Sequence, residues 1–125
     1  MTQCLIYMTA PNDEEAGKIA RILVEERLAA CVNIMGGMRS VYRWEGEIQE
    51  DAEIVLIAKT RRDLVSSLTD RIKEIHPYDC PCVVSLAIDG GNRDFLDWID
   101  AGTRKIYFSL REGVASLLAI GKRIL

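Results

Sequence analysis

The sequence predicts an α+β sandwich in which an antiparallel sheet carries two helices on one face. Three observations lead to this prediction: the element order strand–helix–strand–strand–helix–strand, the period-two alternation of the strand segments, and the apolar stripes of the helical segments. Two split β-α-β units in this order give a ferredoxin-like arrangement, because such crossovers are right-handed. The 125 residues are expected to form one domain, with a core over residues 3–102 and an extension over 103–125.

The first strand and the first helix are predicted from the start of the chain. Cys4–Met8 is apolar on both faces, as expected of a central strand. Asn12 fits an N-cap, and Glu15 completes a capping box. The helix is expected to run to about Leu28. Its inward-facing stripe is expected to consist of Ala16, Ile19, Ala20, Leu23 and Val24.

A long hairpin occupies the middle of the chain. Its arms, Cys31–Arg43 and Glu47–Lys59, alternate with period two and are joined through an acid–glycine pair, which is a strong hairpin signal. Arms of this length reach about 40 Å, roughly twice a typical strand. Because a projecting edge is an aggregation hazard unless it is paired, the hairpin is expected to pair with other copies of the chain.

Alternation assigns the hairpin side chains to faces. On the second arm one face carries Ile48, Ala52, Ile54, Leu56 and Ala58. On the first arm one face carries Val32, Ile34, Met38, Tyr42 and Trp44. Gly36-Gly37 interrupts the first arm, which predicts a bulge or bend there.

The second half of the chain contains a helix, a strand and a short helix. Thr60 is expected to cap the helix, and His76-Pro77 to end it, because the residue before proline is pushed out of the α region. The apolar stripe of this helix is Leu64, Leu68, Ile72 and Ile75. Cys82–Ile88 reads as the fourth strand, and Asn92 caps a helix that ends at Gly102. Residues 103–125 are expected to hold one more amphipathic helix, and other subunits to cover the open face of the sheet.

Composition and charge exclude several classes of partner. A net charge of −3 gives no electrostatic basis for binding nucleic acid or an anionic membrane. The N-terminus lacks the basic and apolar regions of a secretory signal, so the sequence predicts a cytoplasmic location and reduced thiols for the four cysteines. No phosphate-binding glycine loop, Ser-His-acid set or paired-carboxylate motif is recognisable, so no catalysis is expected. A dyad of His76 with Cys80 or Cys82 is the weaker alternative.

Several short motifs together resemble one family. They are Thr9-Ala10-Pro11, RLAACVNI over residues 27–34, Ser40-x-Tyr42-x-Trp44-x-Gly46, Lys59-Thr60, His76-Pro77-Tyr78-x-x-Pro81 and Trp98. In this order, over residues 3–102, they are similar to the CutA family of divalent-cation tolerance proteins. The resemblance implies a ferredoxin-like fold and a tight homotrimer that is itself similar to PII-type signalling trimers.

The resemblance also implies a copper site. In this family copper binding involves a soft residue before Thr-Ala-Pro and the histidine before Pro-Tyr, which correspond to Met8 and His76. The chain departs from the family at Ile75, where a second histidine would precede His76, and at Cys82, where an acid is common. Cys82 therefore joins Met8 and His76 as a candidate ligand.

Each candidate ligand has an alternative role. A histidine at a helix C-terminus is favoured by the helix dipole, so His76 is equally consistent with a cap. Cys80 and Cys82 form a Cys-x-Cys whose thiolates lie on the same side of a strand and suit Cu(I). Alternatively, Cys82 is a small buried hydrophobe and Cys80 a loop residue.

A second set of side chains is expected to form a ligand cleft. Its members are Tyr42, Trp44, Lys59, Tyr78 and Trp98. The aromatic members are also typical of a subunit interface, and both roles hold if the cleft lies between subunits.

The leading hypothesis is a cytoplasmic homotrimer for divalent-cation tolerance, chiefly to copper. It would bind a metal ion or small ligand at clefts between subunits and need no cofactor to fold. The alternative is a PII-like signalling or scaffold trimer whose hairpins contact a partner protein. A third hypothesis is a small enzyme that uses Lys59 or the thiols.

Overall fold

The computed structural model describes residues 2–105 and confirms the α+β fold class. In chain order the elements are β1 (Gln3–Ala10), α1 (Asp13–Glu25), β2 (Cys31–Trp44), β3 (Glu47–Arg61), a 3₁₀ turn (Arg62–Leu64), α2 (Val65–Ile75), β4 (Val83–Ala87) and α3 (Arg93–Gly102). The strands form one antiparallel sheet in the order β2-β3-β1-β4. The amphipathic helix expected beyond Gly102 lies outside the described residues. Among those that are described, no helix combines the length and apolar character needed to cross a bilayer.

The main core lies between α1, α2 and one face of the sheet. This face carries fully buried side chains from the two central strands, including Ile6 of β1 and Leu56 of β3. The helices contribute Ile19, Leu23, Leu68 and Ile72. The predicted stripes of both helices are therefore confirmed in their central residues. Val24 is an exception, because it is 42% exposed and does not face the core.

The predicted start of α1 is confirmed, but its predicted end is wrong. The side chain of Asn12 accepts a hydrogen bond from the Glu15 backbone N–H at 2.8 Å. The helix ends at Glu25, three residues before Leu28, because Arg27 adopts a positive φ of 58°. The Leu28 N–H then bonds back to the Leu23 carbonyl at 2.9 Å, as in a Schellman cap.

The predicted cap of α2 is also wrong. Thr60 lies within β3, where its buried hydroxyl donates to the Leu28 carbonyl at 2.7 Å. The strand continues to Arg61, and the 3₁₀ turn precedes the helix. The predicted end of α2 is confirmed, with His76 at the C-cap.

The hairpin has the predicted turn and bulge, but one face assignment is wrong. Glu45 and Gly46 both have positive φ, as a type I′ turn requires. The register shifts by one residue between Met35 and Met38, where Gly37 has a φ of 80°. The extra residue reverses the face of the sheet on which each side chain in the outer half of β2 lies. Because cross-strand partners share a face, the pairing identifies the new faces. Tyr42 and Trp44 therefore lie with Gln49 and Glu47, not with Val32 and Ile34.

The third helix covers part of the sheet face that α1 and α2 leave open. The side chain of Gln3 donates to Asp100 of α3 at 3.0 Å, and Lys59 lies 5.5 Å from the centre of the Phe95 ring. We expected other subunits to cover this face, but α3 of the same chain covers part of it. Beyond α3 the face still exposes large apolar side chains, including Met35, Val84 and Leu86.

Candidate functional site

A cleft of about 480 Å³ opens on the sheet face opposite α1 and α2. The outer hairpin forms one wall, and the segment between α2 and β4 forms the other. The lining residues are Thr9, Tyr42, Trp44, Glu53, Pro77, Tyr78, Asp79, Cys80 and Cys82. Of the five side chains predicted to form a ligand cleft, the structure brings together Tyr42, Trp44 and Tyr78.

The remaining two predicted cleft residues lie elsewhere in the protomer. Lys59 donates to the side-chain oxygen of Asn33 at 2.8 Å and lies over Phe95, which stacks on Trp98 at 5.5 Å. Tyr42 pairs with Gln49, which precedes Lys59 by ten positions on β3. At about 3.3 Å per residue this places the two groups roughly 33 Å apart along the strand.

Two phenols in the cleft donate to carboxylates. The Tyr78 hydroxyl donates to Glu53 at 2.9 Å, and the Tyr42 hydroxyl donates to Asp51 at 2.5 Å. Burial and then the hydrogen bond to Glu53 raise the pKa of Tyr78 to about 12. The hydrogen bond to Asp51 is the main cause that raises the pKa of Tyr42. Both phenols therefore stay protonated at neutral pH and hold the carboxylates in place.

Glu53 is the most deeply buried acid in the cleft. Only 9% of this residue is exposed, and its hydrogen-bond donor is the neutral phenol of Tyr78. No ion pair within residues 2–105 involves Glu53. A buried carboxylate is costly unless a cation or several donors compensate it, so a cation in the cleft would offset the cost of burying Glu53.

The predicted ligand His76 is engaged at both ring nitrogens. Its Nε2–H donates to the Thr9 carbonyl at 2.7 Å, and its Nδ1 accepts from the Tyr78 backbone N–H at 3.1 Å. The carbonyl only accepts and the backbone N–H only donates, so the ring is the neutral Nε2–H tautomer. His76 therefore holds Tyr78 against β1, and a metal ion at either nitrogen would have to replace one of these bonds.

The other two predicted metal ligands lie on opposite sides of the sheet. Met8 is 1% exposed and belongs to the core beneath the helices, whereas Cys82 lines the cleft. Burial, and secondarily Glu53, raises the pKa of the Cys82 thiol. Within the described residues, no group of three or more His, Cys, Asp or Glu side chains is arranged to hold a metal ion. The structure thus does not bring Met8, His76 and Cys82 together in one site.

Four possible donor side chains line the cleft, although they do not form a group arranged to hold a metal ion within the described residues. The thiols of Cys80 and Cys82 line it together with the carboxylates of Glu53 and Asp79. Two thiolates suit a soft cation of low coordination number such as Cu(I). The raised pKa of Cys82 opposes loss of its proton, so a cation would have to displace it.

Sequence reasoning missed Glu53, Asp51 and Thr9 as site residues. The signal for Glu53 and Asp51 was in the sequence, because a bulge at Gly36-Gly37 reverses the alternation of the outer half of β2. With the extra residue counted, Tyr42 falls on the face of β3 that carries Glu53. Thr9 acts through its backbone carbonyl, and the type of side chain at a position does not reveal such a role.

Comparison with known proteins gives one consistent result. A family model described as CutA1 divalent ion tolerance protein matches residues 4–102. The divalent-cation tolerance protein CutA of Thermus thermophilus is 48% identical over 79% of this chain and 96% of its own length. The chloroplastic CutA 1 of Oryza sativa is 48% identical over 81% of this chain and 57% of its own length. The crystal structure of CutA1 from Oryza sativa has a TM-score of 0.82 at 46% identity and covers 84% of this chain and 96% of that one.

The predicted cytoplasmic location is wrong as an inference from this sequence. A relative from Archaeoglobus fulgidus with a solved structure is described as periplasmic, with a TM-score of 0.78, and covers 80% of this chain and 97% of its own. Two plant relatives are described as chloroplastic. Proteins with this fold and similar sequences thus occur in several compartments, so the sequence of residues 1–125 does not justify a cytoplasmic prediction.

The match to residues 4–102 covers every described strand and helix except the first residue of β1, and sequence and structure comparisons agree. The chain belongs to the CutA1 divalent ion tolerance protein family.

Proposed function

We propose that the protein acts in divalent-cation tolerance as a homotrimer whose clefts bind a metal ion or a small cationic ligand, without catalysing a reaction. The observation that carries this proposal is the cleft itself. It combines aromatic walls with a buried carboxylate, and no Lys or Arg is among the described residues that line it. Relatives are named as divalent-cation tolerance proteins, which fits a site that attracts positive charge.

The uncovered apolar surface supports self-association. Val84 and Leu86 on the edge strand β4 are 51% and 54% exposed, and Val41 and Ile48 on the outer hairpin exceed 60%. Large apolar side chains grouped on one sheet and one hairpin are typical of surfaces that become buried on assembly. A second copy would also pair the open edges of β2 and β4.

The mass of the protein in solution tests the trimer. Three chains of 14.0 kDa give about 42 kDa by light scattering. Leu86→Glu is expected to lower this mass, because it places a charge on the apolar face of β4. Ser66→Glu on the exposed side of α2 is the matched control and should leave the mass unchanged. A folded wild-type particle of about 14 kDa would overturn the trimer.

Copper binding is the more specific part of the proposal, and the two thiols in the cleft support it. We expect Cu(I), titrated under reducing conditions against a competing chelator, to bind through Cys80 and Cys82. The double variant Cys80→Ser, Cys82→Ser should weaken Cu(I) at least about tenfold. Cys31→Ala removes a thiol outside the cleft and is the control. Wild-type protein that takes up no Cu(I) or Cu(II) above background would remove copper from the proposal.

His76 and Met8 are tested in the same titration. Both ring nitrogens of His76 are engaged, and Met8 is buried in the core, so His76→Ala and Met8→Leu are expected to keep the Cu(I) affinity. A tenfold or larger loss in either variant would instead assign that residue to the metal site, as the family resemblance implies.

A PII-like scaffold is the second candidate, and the exposed hairpin tip favours it. Trp44 is 51% exposed on one face of the hairpin, and Ile48 is 61% exposed on the other face. If the tip stays accessible in the assembled protein, iodide should quench Trp44 fluorescence in a Trp98→Phe background. Protection of Trp44 in a particle of about 42 kDa would mean that subunits bury the tip, and would disfavour a partner protein there.

A further inference from the structure

We propose that the cleft between the outer hairpin and residues 77–82 selects an organic ammonium ion, held between aromatic side chains and the carboxylate of Glu53. The proposal rests on the proposed function, since it names the ligand class of the same cleft. It concerns the aromatic and acidic wall, which is distinct from the two thiols considered for copper.

The charge of the wall is the first support. Glu53 is 9% exposed, and Asp51 lies two positions away on the same face of β3. Asp79 lines the opposite wall. The nearby donors to Glu53 and Asp51 are the phenols of Tyr78 and Tyr42, which supply hydrogen bonds but no positive charge. A bound cation would neutralise a negative charge that burial makes unfavourable.

The aromatic lining is the second support. Trp44, Tyr42 and Tyr78 come from two separate chain segments and meet at one cleft. Aromatic side chains attract cations through the negative faces of their rings, and groups of them recognise alkylammonium ligands. A phenol that donates to a carboxylate gains electron density in its ring, so both hydrogen bonds strengthen this attraction.

The size of the cleft and the hydrogen bonds of its carboxylates favour an organic cation over a bare metal ion. A volume of about 480 Å³ suits a small organic molecule and lies within the usual range of ligand pockets. A hard divalent ion prefers six or more oxygen ligands, and one of the two oxygens of each carboxylate, Glu53 and Asp51, already accepts from a phenol. An alkylammonium ion needs no coordination sphere and leaves those bonds in place.

The test compares choline with its neutral isostere 3,3-dimethylbutan-1-ol. Binding is followed by Trp44 fluorescence in the Trp98→Phe protein and checked by calorimetry on the wild type. Choline is expected to bind at least about tenfold more tightly than the neutral alcohol. Glu53→Gln keeps an acceptor for Tyr78 and should weaken choline about tenfold while leaving the alcohol unchanged.

Glu50→Gln is the matched control, because it makes the same change on the other face of the same strand. It should keep the affinity for choline. Equal affinity for choline and the alcohol, no binding of choline, or equal losses from Glu53→Gln and Glu50→Gln would each overturn the proposal. If Glu53→Gln does not fold, Trp44→Leu in the wild-type background, measured by calorimetry, must weaken choline more than the alcohol.

The mass of the particle in the same preparation is measured by light scattering, and the preparation is titrated with Cu(I). A particle of about 42 kDa that binds copper but not choline would overturn the ammonium ligand and leave the proposed function standing. A 14 kDa particle that binds choline would do the reverse.

Discussion

The two ends of β3 share one alternating pattern but have different surroundings. Leu56 near the base and Ile48 near the tip lie on the same face of the same strand, yet Leu56 is fully buried and Ile48 is 61% exposed. Helices α1 and α2 cover the base, and no described element covers the tip. Alternation thus decides which way a side chain points, whereas the neighbouring elements decide whether it is buried.

The largest expected effect is a loss of stability that should be greater at Leu56 than at Ile48. Leu56→Ala should lower the free energy of unfolding by about 2–5 kcal/mol, because it leaves a cavity in the core. The loss of stability caused by Leu56→Ala should not depend on protein concentration. Urea denaturation at two protein concentrations measures both properties.

Ile48→Ala is the matched substitution at the tip. Within the protomer it removes an exposed side chain, so we expect its cost to appear only on dilution, as weaker association of subunits. A cost as large as that of Leu56→Ala at every concentration would show that the tip packs within the protomer.

A second prediction compares an ion pair at each end of the hairpin. At the base, Arg61 is buried and bonds to Asp63 at 2.9 Å as well as to Thr103. Asp63→Asn should lower the free energy of unfolding by about 1–3 kcal/mol at pH 7, because the buried guanidinium loses its charged partner. Glu50→Gln breaks the exposed Arg39–Glu50 pair at the tip and should cost less than about 0.5 kcal/mol.

The effect of Asp63→Asn should depend on pH. The hydrogen bond from Arg61 lowers the pKa of Asp63 below its ordinary value of 3.8. The pair therefore stabilises the fold fully above the pKa of the unfolded chain, and this contribution is lost as pH falls through the lower pKa of the folded protein. Urea denaturation between pH 7 and pH 2 should show wild type and Asp63→Asn converging in acid. A difference that grows in acid would contradict this assignment.

Local rules predicted much of the fold because most of its signals are short-range. The cap at Asn12, the hairpin turn at Glu45-Gly46 and the end of α2 at His76 each depend on a few neighbouring residues. The end of α1 was misjudged because Arg27 takes a conformation that usually marks glycine. Thr60 was misjudged because a buried bond to Leu28, distant in sequence, keeps it in the strand.

The site was harder to predict than the fold because it depends on how distant segments meet. Tyr42, Trp44 and Tyr78 were predicted as cleft residues from their motifs, and the structure places them together. Lys59 and Trp98 were grouped with them by chemistry alone, yet they lie near α3. Glu53 was overlooked because the bulge in the neighbouring strand decides which side chains of β2 share its face.

The smallest predicted effect comes from substitution to glycine at two non-glycine residues that have positive φ. Arg27 ends α1 at the base with a φ of 58°, and Glu45 forms the hairpin turn with a φ of 52°. A side chain is strained by about 1 kcal/mol in this region, and glycine removes the strain but adds freedom to the unfolded chain. Arg27→Gly should therefore raise the free energy of unfolding by about 0.5 kcal/mol in urea denaturation.

Glu45→Gly should leave the global unfolding transition unchanged, because an exposed turn at the end of a long arm opens locally before the core unfolds. Its effect should appear instead in the hydrogen exchange of the neighbouring hairpin amides, which report local opening directly. Equal gains in global stability from Arg27→Gly and Glu45→Gly would mean that the tip unfolds together with the base. In that case the hairpin would be one cooperative unit along its whole length, and the exposure of its outer side chains would have to be offset by contacts with other subunits.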